Sequence, residues 1–229
     1  MKFINKLAGC FLLFIGVSAQ LYAQGKPIDL MSPNGELKVS IILGDKIYYT
    51  IAGNSQEILT KNHLAMTLKD GVLGENPKLI SVKKTKGEEI IKPYIPIKFS
   101  TIKSNYNDLL MTFKGNYAVE FRAFNDGIAY RFITSKNGDA EVMSEDFSIN
   151  FPDTYLLHLQ QNNGFKTAYE ELYQHIESAT WKQTDKLANL PALIDTKKQY
   201  KILISESDLS DYPGMFLQGT GNNGMVGAF

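Results

Sequence analysis

YAVEFRAFNDGIAYRF, residues 117–132, is the stretch that decides the fold class. Tyr117, Val119, Phe121 and Ala123 share one parity, while Glu120 and Arg122 take the other. Successive side chains of a strand point to opposite faces, so this pattern is a strand with one face turned inwards. Asn125-Asp126-Gly127 then supplies residues that tolerate positive φ, and Ile128, Tyr130 and Phe132 restart the same alternation. Strand, turn and strand in this order predict a hairpin.

The pattern continues in both directions. Leu37, Val39 and Ile41 alternate with Lys38 and Ser40; Ile47, Tyr49 and Ile51 follow the Gly44-Asp45 turn. Leu64, Met66 and Leu68 come next, then Ile95, Ile97 and Phe99, then Leu109, Met111 and Phe113. Phe147, Ile149 and Phe151 repeat it, as do Tyr200, Ile202 and Ile204. Asn34-Gly35, Asp70-Gly71, Asn137-Gly138 and Asn163-Gly164 are further turn pairs. Residues 76–92 carry Lys83, Lys84, Lys86, Glu88 and Glu89 and show no apolar face, which predicts a solvated hairpin. One segment, 167–178, spaces Tyr169, Leu172, Tyr173 and Ile176 at i, i+3, i+4 and i+7 and predicts a short helix. The expected fold class is therefore all-β, an antiparallel sandwich or barrel in one domain with one short helix.

Composition narrows the function classes. The 229 residues hold 24 Lys+Arg against 24 Asp+Glu, so there is no bulk positive charge with which to neutralise nucleic-acid phosphates. Hydrophobic residues at 44% and charged residues at 21% exclude wholesale disorder. A single cysteine forms no intrachain disulfide.

The amino terminus reads as an address. Lys2 and Lys6 precede an apolar run over residues 7–17, and Ala19 and Ala23 follow it. This is the layout of a secretory signal peptide, residues 1–23, leaving 24–229 for export, with the periplasm as the expected destination. The apolar run falls well short of the ~20 residues that span a bilayer, so no transmembrane span is expected. Leu7-Ala8-Gly9-Cys10 has the letters of a lipoprotein box, but Cys10 precedes nearly all of the apolar core, so cleavage would discard it.

Chemical motifs are scarce. His63, His158 and His175 are the three histidines, with no HExxH or CxxC spacing and nothing that marks them as converging. Walker, GxGxxG and GxSxG sequences are absent, and no catalytic residue is identified. Trp181 with Tyr169 and Tyr173 could stack on a sugar ring, although core packing is the commoner use of such residues. Glu206 is the most informative position. It shares parity with Tyr200, Ile202 and Ile204, so a carboxylate lies in line with apolar side chains as the strand ends. Burial of an unpaired carboxylate is costly, which calls for a basic partner, backbone donors or a cation, unless the strand end is solvated or Glu206 and Asp208 cap the following turn.

Several segments together resemble the amino-terminal domain of glycoside hydrolase family 97. They are residues 125–132, NDGIAYRF, Leu190-Pro191-Ala192-Leu193, residues 204–209, ISESDL, and Asp211-Tyr212-Pro213-Gly214-Met215, with Ser32-Pro33-Asn34-Gly35 at the start. The resemblance implies a β-supersandwich similar to galactose mutarotases, packed on a (β/α)8 barrel that hydrolyses α-glucosides or α-galactosides. It also implies an active-site calcium held mostly by barrel glutamates, with one ligand from the segment matching residues 204–209; Glu206 is the position it points to. A barrel needs about 250 residues, more than this chain has left beside its strands. The barrel is therefore expected to be a partner, the chain to be a fragment of such an enzyme, and its carboxy-terminal side to be incomplete. The alternatives are a stand-alone carbohydrate-binding protein and, with less in its favour, an aldose epimerase.

Overall fold

The computed structural model describes residues 25–229 except Lys136 and Asp211; the signal-peptide reading of residues 1–23 lies outside the described residues. The chain runs through β1 (Ile28–Met31), β2 (Leu37–Leu43), β3 (Ile47–Gly53), β4 (Gln56–Leu68), β5 (Gly71–Leu73), β6 (Leu79–Ile91), β7 (Ile102–Phe113) and β8 (Tyr117–Phe124). It continues through β9 (Ile128–Thr134), β10 (Val142–Asn150), β11 (Leu156–Asn162), β12 (Tyr173–Glu177), β13 (Leu187–Asp195), β14 (Lys201–Ile204), β15 (Phe216–Gly219) and β16 (Gly224–Ala228). The predicted hairpin is β8–β9, with register running from Tyr117 opposite Thr134 to Ala123 opposite Ile128.

Two antiparallel sheets face each other. The smaller has the order β6-β7-β8-β9; the larger runs β1-β2-β3-β4-β10-β16-β15-β13-β11-β12, with β14 on β13 and β5 on β4. The parity read from the sequence decides what lies between them. Leu109, Met111, Val119 and Phe121 from one sheet and Val39, Ile41, Ile47 and Leu64 from the other are all essentially inaccessible. Aromatic pairs join the layers: Tyr49 meets Phe121 at 6.1 Å and Tyr130 meets Phe147 at 6.2 Å between ring centroids. Each such side chain contributes about 1.5–3 kcal/mol through burial, which offsets the entropy of ordering the strands. On the opposite face of β8, Glu120 is covered by Arg131 and Arg122, which pair with it. The closing strand β16 is interior, between β10 and β15.

Three expectations are corrected. Among the described residues there is no helix: residues 173–177 form β12, paired to β11 at one edge of the larger sheet. Tyr169 has φ of 57°, a left-handed conformation that no right-handed helix contains. The helical spacing had no core to face, since Leu172 is 82% exposed. Ile95, Ile97 and Phe99 form no strand; Pro93 and Pro96 remove ladder donors, and the three side chains point to solvent. Residues 76–92 are not a hairpin in themselves but contain one 13-residue strand, β6, paired with β7 along its length. Gly87 permits this pairing: a Cβ there would lie 2.2 Å from the ring of Tyr106, which crosses over it to donate to Glu89.

Because Ile95 and Ile97 bury so little surface, replacing both by serine is expected to change unfolding free energy by no more than about 0.5 kcal/mol each. Thermal unfolding would show a larger loss if that segment packed on the core.

Candidate functional site

The sequence-marked Glu206 lies two residues beyond β14, in the 205–215 connection to β15. Ile204 is buried, and the matching parity brings the Glu206 carboxylate partly inside. Its Oε2 accepts the Met215 N–H at 2.9 Å, which ties the two ends of the connection together. Burial pushes its carboxyl above the ordinary value; the Met215 N–H opposes that rise and the nearby charge of Glu145 adds to it.

Glu145, on β10, was not legible as a site residue. Its Oε1 accepts the Tyr130 hydroxyl at 2.7 Å and its Oε2 accepts the Tyr212 hydroxyl at 3.0 Å. Tyr130 comes from the β8–β9 hairpin and Tyr212 from the same connection as Glu206; the Tyr212 ring also meets Phe229 edge-on at 6.0 Å. Burial, reinforced by Glu145, drives both phenols upwards in pKa, so both remain protonated donors. Only long-range register brings 130, 145, 206 and 212 together, which is why no local motif announced them.

The two carboxylates therefore differ in what they have left. Glu145 has a phenol on each oxygen. Glu206 has one backbone donor, and among the described residues no lysine or arginine pairs with it. Of the compensations that burial demanded, the structure supplies the backbone donor and not the basic partner. A hard cation needs 6–8 oxygens, and no group of three or more His, Cys, Asp or Glu among the described residues could hold a metal. Glu206 could offer a cation its carboxylate oxygens only, and no complete site surrounds it among the described residues.

Other candidates resolve differently. Trp181 is 1% exposed, with its indole N–H on the Lys186 carbonyl at 3.1 Å, so it is core and not a sugar platform. His63 Nε2 donates to Asp146 Oδ1 at 2.7 Å and its Nδ1 lies 3.0 Å from Ser148 Oγ, an order of groups that evokes a nucleophile relay. Ser148 is only 3% exposed and its Oγ accepts the backbone N–H of His63, while Lys46 pairs with Asp146; a substrate has no access to that hydroxyl. His158 and His175 do converge, in register across β11 and β12. Two open depressions, of about 410 and 580 Å3, lie beside Tyr117 and beside Lys38, and neither is lined by Glu206, Glu145 or a histidine.

With this geometry in place, the sequence profile described as glycosyl-hydrolase 97 N-terminal matches residues 30–229, from β1 to the last residue. The chain belongs to that family. This glycosyl-hydrolase 97 N-terminal domain is 34% identical over 227 residues to a retaining alpha-galactosidase of Bacteroides thetaiotaomicron, covering 95% of this chain and 33% of that protein. It thus spans about a third of the relative's length. Among solved structures it is similar to a glycoside hydrolase family 97 enzyme from Pseudoalteromonas sp. strain K8 in complex with acarbose, with a TM-score of 0.77 and 19% identity over 88% of this chain and 32% of that one. It is also similar to a beta-arabinopyranosidase, with a TM-score of 0.78 and 22% identity over 88% and 35% of the two chains. At those identities the likeness is one of fold, and the fold is the glycosyl-hydrolase 97 N-terminal sandwich.

Proposed function

We propose that this chain is the accessory domain of an exo-acting α-glycosidase. It shapes the sugar-binding cleft beside a (β/α)8 catalytic barrel, contributes Glu206 to a calcium ion held mostly by that barrel, and hydrolyses nothing alone. Among α-linked oligosaccharides, α-galactosides come first, since the 34%-identical relative is named an alpha-galactosidase. Export to the periplasm belongs to the same proposal and rests on residues 1–23.

The observation that carries the reading is Glu206 itself. It is a partly buried carboxylate with raised pKa, one backbone donor and, among the described residues, no paired side-chain cation, set on a connection that the Tyr212–Glu145 and Met215–Glu206 hydrogen bonds hold in place. When bound, calcium would supply positive charge that favours ionised carboxylates and polarises nearby sugar oxygens. The chain's own part is positional. Met215 fixes Oε2, and Glu145, through Tyr212, fixes the connection on which Glu206 rides.

Hydrolysis by this domain alone is not supported. Glycosidases require two carboxyl groups flanking an accessible sugar. Glu145 is close enough to Glu206 to raise its pKa, but both Glu145 oxygens are occupied by half-buried phenols. A stand-alone sugar-binding role loses its leading residue with the burial of Trp181. An epimerase would need histidines and a glutamate over a cavity, and neither depression holds that set.

The test is direct. The purified chain is assayed on aryl α-galactosides and α-glucosides, with no release above buffer expected. Turnover that co-purifies with the protein and disappears in the Glu206→Gln variant would overturn the accessory reading.

A further inference from the structure

His158 and His175 take no part in the Glu206 region. They face each other directly across β11 and β12, at the edge of the larger sheet. Their Nδ1 atoms are 2.7 Å apart, the ring centroids 4.8 Å apart and the planes inclined at 74°. At that separation the two nitrogens can share one proton, one donating and the other accepting. A second proton would set two imidazolium charges in contact. With one nitrogen donating, the other turns its lone pair into the space between the rings, and the contact lies at the protein surface.

We propose that His158 and His175 form a binding site for a divalent transition-metal ion, with the two Nδ1 atoms in adjacent coordination positions and water in the others. Metal–imidazole bonds of about 2.0–2.1 Å at a right angle separate adjacent nitrogens by about 2.9 Å, and at a tetrahedral angle by about 3.4 Å. The observed spacing is close to the first, so a tetragonal ion such as copper(II) or nickel(II) needs less ring movement than zinc(II). In the neutral pair one ring carries its proton on Nδ1, so metal entry moves that proton to Nε2 of the same ring; each ring then binds through Nδ1 and carries its N–H on Nε2.

The neighbouring charges define the site further. Asp195 on β13 and Glu177 on β12 share this face, two register positions along, since both lie opposite Leu156. Asp195 is held by Lys201 and the Lys197 N–H, and Glu177 by Lys197 Nζ at 2.8 Å. Both carboxylates are thus engaged with lysine, which leaves two nitrogens as the protein's inner ligands. This donor set is imidazole nitrogen, which suits copper, nickel and zinc, where calcium requires oxygen, so the site is independent of the role proposed for Glu206.

The experiment titrates the untagged, metal-free chain with copper(II) and with zinc(II) alone, by calorimetry at pH 7.4. One saturable site is expected, tighter for copper. His158→Gln, at a half-buried position, and His175→Gln, at an exposed one, should each weaken copper binding by at least about tenfold, with circular dichroism of both variants matching the parent. Glu206→Gln should leave it unchanged, so that failure here is distinguishable from failure of the calcium proposal. Copper(II) electron paramagnetic resonance should show superhyperfine coupling to two nitrogens in the parent and one in each single variant. Binding that is equal in the histidine variants, or absent at millimolar metal, overturns the proposal.

Discussion

Trp181→Ala is expected to cost about 3–5 kcal/mol, the range for deleting a large buried aromatic side chain. That is a large part of the roughly 5–15 kcal/mol by which a domain is stable, so the variant should be substantially unfolded on mild warming. Three contacts make the site unforgiving. The indole N–H is satisfied by the Lys186 carbonyl, the Trp181 carbonyl accepts the Gly221 N–H at 2.6 Å, and the backbone lies against β15 where Gly219 has no side chain. A Cβ at Gly219 would come within 2.3 Å of the Trp181 carbonyl oxygen. Trp181 therefore clamps the 178–187 turn to the sheet. Trp181→Phe keeps most of the volume but strands the Lys186 carbonyl, and should cost less, about 1–3 kcal/mol. Urea unfolding followed by circular dichroism measures both. A sugar-stacking tryptophan would give the opposite result, with unchanged stability and lost retention on polysaccharide.

What the sequence revealed and what it hid follow from the range of the forces involved. Strand parity is local, and Val119, Phe121, Leu109 and Ile41 face the core as their alternation requires. The turn pairs are local too, and the β8–β9 hairpin forms where Asn125-Asp126-Gly127 allows it. Periodicity misled where no core stood behind it. Tyr169, Leu172 and Tyr173 have helical spacing, yet all three are exposed, and hydrogen bonding to the edge of β11 gives residues 173–177 a better outcome as a strand. Prolines likewise outweighed alternation at Ile95 and Ile97.

The candidate site was half legible for the same reason. Glu206 could be marked because parity along one strand linked a carboxylate to buried neighbours. Glu145 could not, because its partners Tyr130 and Tyr212 lie 15 and 67 residues away and meet it only through the folded sheet. The facing of His158 and His175 depends on the register of a hairpin whose 163–172 connection carries no signal for its length. Trp181 stood open to two uses, core or platform, and burial alone decided between them.

Glu206→Gln is expected to move stability and function in opposite directions. The folded-state carboxyl has a pKa raised above its ordinary value of 4.5, chiefly by burial. A raised value means that folding favours the protonated form: the stabilisation is fully present below the unfolded pKa and is lost as pH rises through the folded one. At neutral pH the native carboxylate is thus held at a cost, which glutamine does not incur, while the amide oxygen can still accept the Met215 N–H. The isolated variant should therefore melt at a higher temperature than the parent at pH 7, and the two melting curves should converge as pH falls below about 4.5. On the proposed accessory role, the same variant joined to a catalytic barrel should bind calcium at least about tenfold more weakly and lose hydrolytic activity in proportion, with partial recovery in excess calcium. A residue kept for packing would show the reverse, a loss of stability with no change in metal affinity. Unchanged calcium binding would remove Glu206 from the site, and equal melting at every pH would show that its carboxylate is not desolvated. A carboxylate that weakens its own domain while strengthening a metal site in the joined protein is one whose placement answers to the partner.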